Sequence, residues 1–149
     1  MVRVFLSPLF SENEKYHASN IINQMCSGVS FEPKFTPEVD IRIVTPKEIL
    51  FMTKINCLTI TILCLRQMIE KNISFDDLIP GWNALCNLFL FKKKISFHNL
   101  EEKNIKRYST MVRCMGGEVS VDSSNDVHYV ITKEYDKSIS QHGVLPSWI

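Results

Sequence analysis

The feature that most constrains the fold of this chain is an internal echo. The stretch "QMCSGVSF" (24–31) resembles "RCMGGEVSV" (113–121), and "RIVTPKE" (42–48) resembles "HYVITKE" (128–134), in the same order and at similar spacing. A repeat on that scale indicates two related units rather than one irregular domain. Aligned by letters, Lys47 and Lys133 are counterparts.

Each unit reads strand, helix, strand, strand, helix, strand. In the first, "VRVFLS" (2–7) alternates as a strand does. A helix follows over 12–26, with Ala18, Ile21, Ile22 and Met25 on one apolar face, and Gly28 stops it. "GVSF" and "DIRIV" are short strands. Thr45 is an N-cap candidate with Pro46 at the first helical position and Glu48 three residues on, the pattern of a capping box. Lys47 stands on that first turn, where the helix dipole disfavours a cation and favours an anion. "CLTITI" (57–62) is a β-branched strand and "LCLRQMIEKN" (63–72) a helix. In the second unit "KKISFH" (93–98) is a strand. A helix spans 101–115 with Ile105, Tyr108, Val112 and Met115 on one face, and Gly116 and Gly117 end it. "EVSVD" and "VHYVI" are strands, Thr132 opens a helix, and "GVLPSW" begins the last strand.

Strands joined by helices imply parallel sheets with right-handed crossovers. The expected class is α/β, two small four-stranded sheets flanked by helices, the second unit lacking its last helix. The expected boundaries are 1–73, a linking segment 74–91, and 92–149. Ser74 or Asp76 caps a short helix in the link, Pro80-Gly81 breaks it, and its apolar density predicts packing between the units.

The 149 residues carry a formal net charge of +1, so no global basic field announces a nucleic-acid binder. No apolar run is long enough to span a bilayer, and the first residues turn polar too early for a secretory signal. Cys26, Cys57, Cys64, Cys86 and Cys114 are odd in number, form no C-x-x-C pair and sit among apolar residues. They read as reduced core thiols of an intracellular protein.

The motifs "MVRCMGGEVSVD", "VHYVIT" and "GVLPSWI", the last ending in Trp148, resemble the BRCT family, named for the C-terminal repeats of the breast-cancer susceptibility protein. The first unit matches in pattern through "LTITILCLRQMIEKN", with Cys64 or a neighbour where the family has its tryptophan and Ser27-Gly28 where it has Gly-Gly. A pair beginning at residue 2 further resembles the N-terminal repeats of the topoisomerase II-binding replication and checkpoint scaffold family.

The resemblance implies a nuclear interaction scaffold, not an enzyme, that binds phosphoserine or phosphothreonine peptides of partners in DNA-damage, replication or checkpoint signalling. It implies no cofactor, no membrane and no small-molecule substrate. The family's phosphate pocket takes a hydroxyl at the end of the first strand, the next backbone N–H, and a lysine opening the second helix. Those roles fall on Ser7, Pro8 and Lys47, and in the second unit on His98, Asn99 and Lys133. A dianion suits such charge-assisted donors. Pro8 has no N–H to give, a loss of roughly 1.5–3 kcal/mol for a bond to a charged group. His98 replaces the hydroxyl. Lys103, Lys106 and Arg107 on the adjacent helix supplement the charge.

Two other readings stand beside this one. "FKKK" (91–94) with Lys103, Lys106 and Arg107 forms a basic face for DNA phosphates. Alternatively, the module grips an apolar partner without phosphate. His17, His98, His128 and His142 show no metal spacing, and no nucleophile, base and orienter come together.

Overall fold

The computed structural model describes residues 1–51, 57–78, 84–120, 127–133 and 143–144. The chain divides into two compact units, Met1–Asn87 and Leu88–Ile149.

The first unit holds β1 (Val2–Leu6), α1 (Glu12–Met25), β2 (Val29–Phe31), β3 (Ile41–Val44), α2 (Pro46–Phe51), β4 (Leu58–Thr61), α3 (Ile62–Glu70) and β5 (Ala84–Leu85). All its strand pairs are parallel, in the order β2-β1-β3-β4-β5. The sheet therefore has five strands where four were expected, because the apolar stretch read as a link supplies β5. Before it, Ser74 caps a single 3-10 turn at Phe75–Asp77, its N–H and hydroxyl both bonded to the Asp77 carboxylate. Pro80-Gly81 and Trp82 lie outside the described residues.

The apolar period of α1 is realised: Ala18, Ile21 and Ile22 are buried, and the helix packs with α3. Ser11 and Glu14 close a full capping box, with Ser11 N–H on Glu14 Oε2 (2.8 Å) and Glu14 N–H on Ser11 Oγ (3.2 Å). The core includes Val4, Ile22, Ile43, Ile60, Leu65 and Met68, all fully buried. In parallel strands covered on both faces such near-continuous apolar runs are the rule.

The second unit holds β6 (Lys94–His98), α4 (Glu102–Cys114), β7 (Glu118–Val119), β8 (Tyr129–Thr132) and β9 (Gly143–Val144), again all parallel, in the order β7-β6-β8-β9. Its core joins Leu90, Ile95, Val112 and Ile131, with Phe97, Leu100, Met115, Val119 and Tyr129 against them. Gly116 takes the left-handed φ of +81°, and a Cβ on Gly117 would lie 2.7 Å from Val112 Cγ1. The glycine pair thus turns the chain and lets it pass against α4. The helix expected to open at Thr132 falls mostly outside the described residues, as do Trp148 and any final helix.

The two units repeat one hydrogen-bond scheme, and it fixes their true registration. Asp40 N–H donates to Arg3 O (2.9 Å) while Arg3 N–H donates to Asp40 Oδ2 (2.8 Å). His128 N–H donates to Lys94 O (2.9 Å) while Lys94 N–H donates to His128 Nδ1 (3.0 Å). Gly28 and Gly116 share the left-handed conformation, at φ +77° and +81°. Asp40 thus corresponds to His128, and Val44 at the end of β3 to Thr132 at the end of β8. By the same count Lys133 corresponds to Thr45, and the place of Lys47 falls on residue 135, outside the described residues. The pairing of Lys47 with Lys133 is corrected accordingly.

Candidate functional site

In each sheet the chain leaves the first strand for a neighbour on one side and later returns on the other. β1 lies between β2 and β3, and β6 lies between β7 and β8. The crevice outside the carboxyl ends of such a strand pair is where open α/β sheets bind ligands. Ser7 and Thr45–Glu48 line that edge in the first unit, and His98, Asn99 and Lys133 line it in the second.

The first edge is occupied by the chain's own carboxylate. Ser7 is fully buried, and its N–H donates to Ile43 O (2.9 Å). Its Oγ accepts from Leu9 N–H (3.1 Å) and donates to Glu48 Oε1 (2.8 Å). Glu48 Oε2 accepts from Thr45 N–H (2.7 Å) and from Thr45 Oγ (3.0 Å). Glu48 N–H turns to the Thr45 carbonyl (3.1 Å). The expected capping box is therefore half formed: the carboxylate half is present, but the Thr45 hydroxyl donates to the carboxylate. Pro8 is exposed. Lys47 is exposed and has no ion-pair partner among the described residues. Beside this cluster, an open groove of about 440 Å³ runs past Phe10, His17, Val44, Pro46, Ile62 and Arg66. Arg66 Nε donates to His17 Nε2 there (3.0 Å).

The second edge is built differently. His98 ends β6, half-buried and in register with Thr132. Asn99 follows in the left-handed region at φ +53°, which asparagine tolerates better than most residues. Lys133, one residue past β8, is exposed and carries no ion pair among the described residues. α4 starts at this edge with Glu101 at its N-cap, which makes no side-chain cap bond. Lys103, Lys106 and Arg107 are exposed on its first two turns, and Lys106 lies 3.8 Å from Glu102.

The basic residues of 92–107 are placed by two elements, β6 and α4. Lys92 and Lys93 precede β6 and Lys94 opens it, whereas α4 begins beyond its other end. The four steps of β6 separate these ends by roughly 13 Å at about 3.3 Å per residue. Lys92 instead lies 5.7 Å from the centre of the Phe91 ring.

All five cysteines are free, but only Cys64 is buried; the other four are half-buried, not core thiols in full. Burial, with neighbouring Cys86 adding to it, pushes the Cys64 thiol up to about 12. Burial also raises Cys26 and Cys57. Such thiols are poor nucleophiles. Among the described residues no three His, Cys, Asp or Glu side chains group as a metal site, and no helix is long and apolar enough to cross a membrane.

No protein-family model and no curated protein matches the sequence. Solved structures do. The crystal structure of yeast Rtt107 aligns over 99% of this chain and 39% of its own length, at 13% identity and a TM-score of 0.50. Rad4 BRCT1,2 in complex with a Mdb1 phosphopeptide aligns over 99% of this chain and 87% of its own, at 18% identity and a TM-score of 0.37. S. pombe Rad4 BRCT3,4 gives the same coverage at 9% identity and a TM-score of 0.40. The fold is similar to that of Rtt107. The expected α/β class with parallel sheets and flanking helices is borne out.

Proposed function

We propose that this chain is a protein-interaction scaffold module that binds phosphoserine or phosphothreonine peptides at the carboxyl edge of its second sheet. One observation supports this reading above the others: Lys133 stands exposed, with no ion pair among the described residues, at the switch point beside His98 and Asn99. A lysine there supplies a charge-assisted donor, and the Asn99 N–H and the imidazole are further donors for phosphate oxygens. Lys103 and Arg107 add positive charge from α4. Ser7 and Lys47 form no second open pocket, because Glu48 already takes the Ser7 hydroxyl. The setting that goes with this reading is the nucleus, with phosphorylated partners in DNA-damage, replication or checkpoint signalling. A place in the topoisomerase II-binding scaffold family belongs to the same reading; the setting rests on the resemblance of the two units to the BRCT family.

The test is a titration with a degenerate phosphoserine and phosphothreonine peptide library and its unphosphorylated twin. Phosphorylated peptides are expected to bind, Lys133→Ala to weaken them about tenfold or more, and Lys47→Ala to change affinity less than about twofold. Equal affinity for the two libraries refutes the phosphate reading and leaves a phosphate-independent module. Duplex DNA binding with a steep salt dependence would favour the basic residues acting on nucleic acid instead.

A further inference from the structure

We infer that Glu48 is a resident anion in the first unit: its carboxylate fills the position a phosphate would take, and a phosphorylated peptide enters there only when that carboxylate is displaced. The inference rests on the reading that the carboxyl edges of these sheets take phosphate.

The geometry separates Glu48 from an ordinary capping residue. Three donors from two elements converge on it: Ser7 Oγ at 2.8 Å from the end of β1, and Thr45 N–H at 2.7 Å and Thr45 Oγ at 3.0 Å from the end of β3. Glu14 on α1 is the control within the same unit. It serves its own cap, exchanging bonds with Ser11 three residues away and reaching no other element among the described residues. Glu48 spans 41 residues of sequence to bond a hydroxyl that is entirely buried.

Donors arranged to saturate two carboxylate oxygens also suit phosphate oxygens, since both groups are acceptors only and both take charge-assisted bonds. With Glu48 in place a dianion meets like charge and finds the Ser7 hydroxyl already engaged. With Glu48 shortened, Ser7 Oγ and both Thr45 donors face a carboxylate-sized space with Lys47 beside it. The carboxylate thus decides which unit reads phosphate.

The experiment is an NMR titration of the full chain with inorganic phosphate, following the backbone amides. In the wild type the Leu9 and Thr45 amides are expected to stay still. In Glu48→Ala they are expected to shift saturably, with phosphate binding at least about tenfold tighter than in the wild type. Lys47→Ala added to Glu48→Ala should reverse most of that gain. Glu48→Gln keeps the size and one acceptor oxygen but removes the charge, and an intermediate gain is expected; it decides the matter if Glu48→Ala loses native peak dispersion. Equal titration of wild type and variants, or no gain in a folded variant, overturns the inference. The Asn99 and Lys133 amides, followed with the phosphopeptide library, report the second unit separately. A silent second unit beside a responsive Glu48→Ala would refute the binding reading and not this one.

Discussion

The carboxyl edge of the first sheet is closed by Glu48, whereas that of the second leaves Asn99 and Lys133 exposed, although both follow one topology. At the first, a buried serine, a threonine and a glutamate satisfy one another, and the adjoining helix has a complete cap at Ser11. At the second, a histidine takes the place of Ser7, a left-handed asparagine that of Pro8 and an exposed lysine that of Thr45, the place of Glu48 lying outside the described residues, and α4 has no side-chain cap. A repeated scaffold can therefore keep its backbone scheme while one copy turns its polar groups on one another and the other leaves an asparagine and a lysine exposed. The Asp40 and His128 clasps show how well the backbone scheme survives a change of side chain.

The sharpest way to break this contrast is through the glycines. Gly117→Ala should destabilise the second unit by about 1–3 kcal/mol, because the new Cβ lies 2.7 Å from Val112 Cγ1. Gly28→Ala meets no atom within 4 Å and should cost only about 1 kcal/mol, for its positive φ. Amide exchange in β6 and β1 reads the two losses separately.

Next comes the closed cluster. Glu48→Ala orphans the buried Ser7 hydroxyl as a donor and should cost the first unit about 1–3 kcal/mol in denaturant unfolding. Lys133→Ala should stay within about 0.5 kcal/mol, as for an exposed side chain with no ion pair among the described residues. Similar losses for the two would erase the distinction between a satisfied edge and a presented one.

The smallest effects lie at the helix starts. Ser11→Ala should cost about 1 kcal/mol by opening the capping box of α1. Glu101→Ser should gain roughly 0.5–1 kcal/mol by giving α4 the cap it lacks.

Much of the fold was legible because its signals are local. The apolar face of α1, the β-branched strands and the glycine stops each depend on residues a few positions apart, and each stands where its period puts it. What escaped depends on distance. β5 is two residues without alternation, Ala84 and Leu85, recruited by an edge that no local pattern advertises. Matching letters placed Lys133 opposite Lys47, whereas hydrogen bonds across the sheet place it opposite Thr45. The bond from Ser7 to Glu48 joins residues that only the pairing of β1 with β3 brings together. The S-x-x-E pattern at 11–14, by contrast, was available in the sequence as a capping box and marks the start of α1.

Cys64 gives the first unit a chemical stopwatch. Its side chain is fully buried and its thiol is held protonated up to about 12, so an alkylating reagent at neutral pH reaches it only when the surrounding core opens. The rate at which Cys64 takes up label, set against the half-buried Cys26, Cys57, Cys86 and Cys114, therefore counts openings of the first unit without any engineered probe.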